Sequence, residues 1–371
     1  MQKKLYFENI DLLRGFAALS VLVYHVIELS AWKDFPISGP LVWFRLGWMG
    51  VDLFFVISGM VIGLSAFKIL DKNTHKEFWI TFLKNRILRI APLYLLTLLI
   101  FSTLVMPSLL FERFLINSIS HLLFIHNLHP SLTGAIDGPN WSVAVEMQFY
   151  ILMVFLSPWL REAKIYKIIA LFLTVALLWK YLVVVLINPA ASEETFKIFH
   201  YSTQLPGILD EFLMGILLAR FFRSNYYTQL NLFFSDKTFL RLVLLFASII
   251  FFYLPWTIFW QQPNYWNNPL MIIFFRTLLA FAFSLIIFSI CFLPSNNFIN
   301  FILKPFRYLG KISYGVYLWH LIVILSLQRV GWLTPLKLLI MTIIITFIFA
   351  SWSWFFFEKP ILNLKNDSVK K

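Results

Sequence analysis

The chain has 371 residues, of which 60% are apolar, 19% aromatic and only 13% charged, with a net charge of +13. A soluble domain carries about 25% charged and roughly 45–50% apolar residues, so a soluble globular protein is excluded. The basic excess fits cytoplasmic loops of a membrane protein, and no nucleic-acid partner is expected.

Apolar runs near the ~20 residues that cross a bilayer recur along the chain. They predict spans at 10–30, 48–69, 88–106, 140–158, 168–187, 204–220, 240–258, 270–292, 312–328 and 336–357. The first is kept as a helix, because Glu28 and Trp32 stand where a signal peptide would have its small-residue cleavage site. The run 119–128 is too short to span and is expected to be re-entrant or interfacial. The single cysteine, Cys291, rules out an intrachain disulfide, a Cys-based metal site and a redox pair. The histidines form no ligand-spaced cluster on one predicted helix, and no metal is expected. His121, His126 and His129 read as an ordinary loop group.

Basic residues collect in alternate connections. Lys72, Lys76, Lys84, Arg86 and Arg89 precede the third span, Arg161, Lys164 and Lys167 the fifth, and Lys304, Arg307 and Lys311 the ninth. The other connections hold few, such as Arg113 and Lys197. The positive-inside rule then gives an even number of spans with both termini cytoplasmic. The expected fold class is all-α, a polytopic bundle of about ten transmembrane helices around a central polar cavity. It is read as one membrane domain over 1–371, with no soluble domain appended and no internal repeat.

The first span raises the functional question. "DLLRGFAALSVLVYHV" carries Asp11, Arg14 and His25. At about 100° per residue Arg14 and His25 share a face, roughly 16 Å apart along the axis. Asp11 and Glu28 are their neighbours at three-residue spacing. A charge at mid-bilayer costs at least ~2.5–3.5 kcal/mol, so such a stripe faces protein or a wet cavity. Asp52, Glu146, Asp210, Glu211 and His320 lie in other spans. One polar cavity explains them better than separate accidents. Each has a plain structural alternative: an Asp11–Arg14 ion pair, a packing histidine, or a topological anchor for Arg86 and Arg89. The alternative for that arginine pair is a phosphate clamp, since guanidinium groups match phosphate with two parallel hydrogen bonds.

Six motifs in order carry a resemblance: "DLLRGFAALSVLVYH", "GVDLFFVISG", "RILR", "WSVAVEMQFY", "LGKISYGVYLWH" and "FFFEKP". Together they resemble the integral-membrane acyltransferase family 3, bacterial enzymes that mostly O-acylate surface polysaccharides. One departure stands out. Where the family often has an arginine before the Leu-Asp of the "LPGILD" segment, this chain has Ile208. Many members of that family also carry a C-terminal esterase-like domain, which is not expected here.

The resemblance implies a multi-pass protein of the bacterial cytoplasmic (inner) membrane. It would transfer an acyl group, most often acetyl, from cytoplasmic acyl-CoA to a hydroxyl of an exported carbohydrate such as O-antigen, capsule or glucan. Acetyl-CoA enters as donor substrate, with no bound cofactor. The acceptor, lipid-linked or not, is the second partner, beside membrane lipids, a second copy of the chain or separate polysaccharide-assembly proteins. His25 is the expected base, Glu146 its first carboxylate partner and Glu28 the second. Arg14 would orient the thioester or pair with Asp11, and Arg86 and Arg89 would bind CoA phosphates. Asp11, Asp52, Ser142, Tyr317 and His320 are secondary candidates within the same motifs. Direct attack on the thioester and an acyl-histidine relay both remain open. The rival reading is a transporter or flippase for a lipid-linked sugar, which predicts an internal duplication.

Overall fold

The computed structural model describes residues 8–72, 74–189, 191, 194–262, 265–293 and 297–367, which are mostly helical with no strand among them. The extreme termini, assigned above to the cytoplasm, lie outside the described residues. The α-helices in chain order are α1 (Ile10–Leu29), α2 (Met49–Leu70), α3 (His75–Ile100), α4 (Phe114–Leu122), α5 (Trp141–Glu162), α6 (Ile165–Leu186), α7 (Thr195–Ser202), α8 (Leu205–Phe222), α9 (Asn225–Phe233), α10 (Thr238–Trp260), α11 (Pro269–Cys291), α12 (Asn297–Gln328), α13 (Pro335–Ser353) and α14 (Lys359–Asp367). Nine helical segments among the described residues are long and apolar enough to cross a membrane. The remaining predicted span, 204–220, is α8, a continuous helix of 18 residues. Asp210, Glu211 and Arg220 all fall within those 18 residues, and this charge keeps it outside that set. The protein is a polytopic helical membrane bundle.

Two helices start well before their apolar runs. α3 begins at His75 rather than 88 because a capping box nucleates it. Thr74 N–H donates to Glu77 Oε2 at 3.0 Å, and Glu77 N–H donates to Thr74 Oγ1 at 3.4 Å. Arg86, just outside the predicted span, therefore shares one helix with Arg89. α12 begins at Asn297, fifteen residues ahead of its predicted span, and carries Pro305 within it. The run 119–128 divides between the end of α4 and a 3-10 turn at His126–Leu128.

The chain falls into two compact units, each assembled from separated stretches. Unit 1 comprises Met1–Ile10, Asp52–Phe82 and Val145–Leu303, and unit 2 comprises Asp11–Val51, Leu83–Ala144 and Lys304–Lys371. In unit 1, α2 packs against α8 at backbone distance: a Cβ on Gly59 would stand 2.4 Å from Phe212 O. In unit 2, α1 and α12 are equally close. A Cβ on Gly310 would meet Asp11 O at 1.8 Å, and one on Gly15 would meet Gly310 N at 3.1 Å. Only glycine lets the two backbones approach this way. Further along, His25 meets His320, and Gln328 Nε2 donates to Leu29 O at 2.7 Å. The contacts advance together along both helices, so α1 and α12 run parallel.

Candidate active site

The α1–α12 register places two imidazoles side by side in unit 2. His320 Nε2 lies 3.1 Å from His25 Nδ1, with ring centroids 5.0 Å apart. Two backbone carbonyls fix the protons. Tyr317 C=O can only accept, so the His320 nitrogen bonded to it, Nδ1, carries the hydrogen and Nε2 is a lone pair. Val21 C=O, 3.0 Å from His25 Nδ1, likewise requires that nitrogen to donate. His25 Nδ1–H is shared between Val21 O and His320 Nε2. The lone pair of His25 is therefore on Nε2, the nitrogen facing away from this network. His320 is only 1% exposed, whereas His25 is half-buried. In its neutral form the ring is held in one tautomer, and no hydrogen bond occupies Nε2 among the described residues. Within unit 2 the group on His25 Nδ1 is a second histidine and not a carboxylate. Glu28, the second carboxylate candidate, is exposed.

Tyr317, one turn before His320, ties this pair to the segment entering α5. Its hydroxyl lies 2.8 Å from Pro139 O and 2.7 Å from Ser142 Oγ. Donation to the carbonyl and acceptance from the serine satisfy both groups. The α5 entry, Gly138–Asn140, is a 3-10 turn held by these bonds. Asp137 before it adopts the left-handed conformation at φ 52° and accepts from Asn140 Nδ2 at 3.2 Å. His126 and His121 are buried in the same loop, their rings stacked at 4.0 Å, while His129 is exposed.

The N-terminal half of α1 belongs to a charged cluster in unit 2. Arg14 Nη1 is 3.5 Å from Asp11 Oδ1, the pairing that spacing alone suggests. Arg89 Nη1 is 3.5 Å from Glu358 Oε2. Its guanidinium also lies 5.8 Å from the Tyr314 ring centroid and 5.7 Å from that of Trp354. Glu358 is within electrostatic reach of Arg14 as well. Arg86 is half-buried one helical turn before Arg89. Glu358, the acid of the "FFFEKP" motif, thus acquires a role that its sequence position did not disclose: it orients Arg89.

The remaining candidates are in unit 1. Glu146 Oε1 accepts from Ser58 Oγ and from Tyr150 OH, each at 2.7 Å. Asp52 Oδ1 lies 2.5 Å from Arg276 Nη1, and Glu211 Oε1 lies 3.7 Å from the same nitrogen. Lys180 Nζ is 2.6 Å from Asp210 Oδ2. Arg276 and Lys180 were visible in the sequence only as basic residues inside apolar runs. A guanidinium does reach α8, at Glu211, but it comes from α11.

A family model described as an acyltransferase domain matches residues 7–358. The chain belongs to acyltransferase family 3. Over 379 residues this family-3 chain is 28% identical to the O-acetyltransferase OatA of Staphylococcus aureus, an alignment covering 96% of the chain and 57% of the relative. It is 28% identical to a putative peptidoglycan O-acetyltransferase, YrhL, of Bacillus subtilis, covering 96% and 55%. It is 25% identical to the peptidoglycan O-acetyltransferase OatA of Listeria monocytogenes, covering 96% and 56%. The chain spans little more than half the length of these relatives. No solved structure matches it.

Proposed function

We propose that the protein is an O-acetyltransferase of the bacterial cytoplasmic membrane, moving an acetyl group from cytoplasmic acetyl-CoA to a carbohydrate hydroxyl on the outer side. The observation that carries this reading is the His25–His320 pair, which leaves a lone pair on His25 Nε2. A sugar hydroxyl is a poor nucleophile at neutral pH, and an imidazole that accepts its proton as it attacks supplies the missing activation. The hydroxyl oxygen bonds to the thioester carbonyl carbon while His25 Nε2 takes the proton. The C–S bond then breaks, and the proton passes to the departing CoA sulfur. His320 Nε2 and Val21 O keep accepting from Nδ1–H throughout, so the ring does not turn as it becomes charged. The acyl-histidine route uses the same nitrogen as nucleophile, and the same lone pair serves it.

Arg86 and Arg89 are proposed to bind the CoA phosphates, Arg89 with its planar group already aligned by Glu358, Tyr314 and Trp354. Arg14, about three turns of α1 before His25, would guide the pantetheine arm towards the base. Ser142 and Tyr317 fix the α5 entry on which Glu146 follows. Glu146, bonded to Ser58 and Tyr150, is proposed to contact the acceptor or the acyl group. Two relatives are named for peptidoglycan, and that glycan is the first acceptor to test. O-antigen, capsule and glucan are the others, and membrane lipids surround the site. The experiment is mass and NMR analysis of surface glycans from cells with and without the gene. Loss of O-acetyl groups from one glycan supports the reading and names the acceptor. Unchanged acetylation of every glycan, with a lipid-linked sugar accumulating on one side, would favour a flippase.

A further inference from the structure

Unit 1 buries a set of charged groups that the proposed transfer does not use. Part of it is closed. Lys180 Nζ and the Thr277 hydroxyl both donate to Asp210 Oδ2, and Asp210 Oδ1 accepts from Glu211 N–H at 3.1 Å. One cation meets one anion there, and both Asp210 oxygens are satisfied.

The neighbouring part does not balance. Arg276, 3% exposed, serves two carboxyl groups that are both fully buried. It lies 2.5 Å from Asp52 and 3.7 Å from Glu211. The Tyr265 hydroxyl faces the same guanidinium, and Tyr265 brings no positive charge. Three carboxyl groups from α2 and α8 therefore stand against two cations from α6 and α11. An ionised carboxylate without a counter-charge is not sustained in such a place; it acquires a proton or a metal cation.

The unsatisfied atoms show where the missing charge belongs. Among the described residues, Asp52 Oδ2 and both Glu211 oxygens are buried without a hydrogen-bond donor. Asp52 and Glu211 converge on one nitrogen, Arg276 Nη1, at 2.5 and 3.7 Å. Two carboxylates cannot bond to each other, but a carboxylic acid can donate to a carboxylate. Asp52 holds the closer contact with Arg276 and is the ionised member. Glu211 is then the acid.

We propose that Asp52 and Glu211 together form a proton-binding site inside the membrane-spanning region, with Glu211 carrying the proton and donating it to Asp52 Oδ2. The site is independent of the acetyl-transfer reading and stands even if that reading fails. Its ligand chemistry is a single positive charge, and the other source of that charge is a sodium ion between the same oxygens.

The test is carried out on the full-length protein in lipid nanodiscs. Infrared spectra at neutral pH, recorded in an Asp137→Asn background so that the other buried acid adds no band, should show a carboxylic-acid C=O band that Glu211→Gln removes and sodium leaves unchanged. Glutamine has the shape and neutrality of the protonated acid, so Glu211→Gln should fold and melt at the wild-type temperature. Asp52→Asn, which strips Arg276 of its ionised partner, should melt lower. The proposal is overturned if, in that background, the acid band is missing with Glu211 in place or survives in Glu211→Gln. It is equally overturned if Glu211→Gln melts as low as Asp52→Asn or fails to fold, since either means that Glu211 is ionised. A wild-type melting temperature that rises with sodium, and stops doing so in Glu211→Gln, would assign the site to the metal cation instead.

Discussion

His320 Nε2 accepts from His25 Nδ1–H across 295 positions of sequence, and together with Val21 O it holds the ring with Nε2 as its basic nitrogen. His320 is thus a positioning residue. His320→Ala should lower kcat roughly 10- to 100-fold, the range typical of a lost orienting partner, with little change in the KM for acetyl-CoA. His320→Gln, whose side-chain oxygen can take the place of Nε2 as acceptor, should recover much of the loss. Equal damage from both variants, or a change confined to KM, would remove His320 from this role. Steady-state kinetics on purified protein decide it.

The contact between Arg89 and Glu358 predicts a different signature. Losing a charge-assisted bond to phosphate costs about 1.5–3 kcal/mol, or roughly 10- to 100-fold in affinity. Arg89→Lys should therefore raise the KM for acetyl-CoA while sparing kcat, because lysine lacks the planar fork. Glu358→Gln should act in the same direction more weakly, by releasing Arg89 from its orientation. Titrating acetyl-CoA against both variants checks this, and unchanged donor affinity would reduce the pair to a structural contact.

The α1–α12 register rests on glycine. Gly310→Ala would press a methyl group into Asp11 O, where backbone cannot yield as a flexible side chain does. Forcing extra volume into a packed contact costs about 1–3 kcal/mol or more. It should also separate His25 from His320. Gly315→Ala, whose Cβ would meet Ala350 at 3.2 Å on the α13 side, should be milder. Thermal unfolding and activity of the two variants should rank accordingly.

The loop before α5 predicts a pH dependence of stability. Burial pushes Asp137 up to about 8, with the Asn140 bond pulling the other way. Burial, together with the neighbouring His121, pushes His126 down to about 3. Asp137 binds its proton more tightly folded than unfolded, so its contribution is lost as pH rises towards 8. His126 binds a proton less tightly when folded, so its contribution is lost as pH falls below 6.5, the ordinary histidine value. Above pH 6.5 only the Asp137 effect remains, and the melting temperature should decline up to pH 8. Asp137→Asn should flatten that decline, and asparagine tolerates the left-handed backbone. A decline that persists in the variant would contradict the assignment.

Much of this was legible in the residues. His25 and Arg14 stand out because a membrane helix bears such groups only where they face protein or water. The capping pair Thr74 and Glu77 marks the start of α3, although hydropathy alone places the span at 88, since the first turns are amphipathic. His320 was visible as a candidate, but its contact with His25 depends on how α1 and α12 pack, which no local pattern encodes. The same holds for Arg276. It reads as a charge in an apolar run, and only the tertiary structure gives it Asp52 and Glu211. Glu358 stood in a recognised motif, but its hold on Arg89 required both helices to be in place.

The central claim is that His25 Nε2 takes the hydroxyl proton or the acyl group. The most direct measurement is acetyl transfer to a glycan acceptor by purified, reconstituted His25→Ala, alongside acetyl-CoA binding by the same sample. The account predicts turnover reduced by about 10²–10⁴-fold, the contribution of a positioned base, or abolished on the relay route, with donor binding retained. Wild-type turnover in the variant would contradict it and return His25 to a packing role.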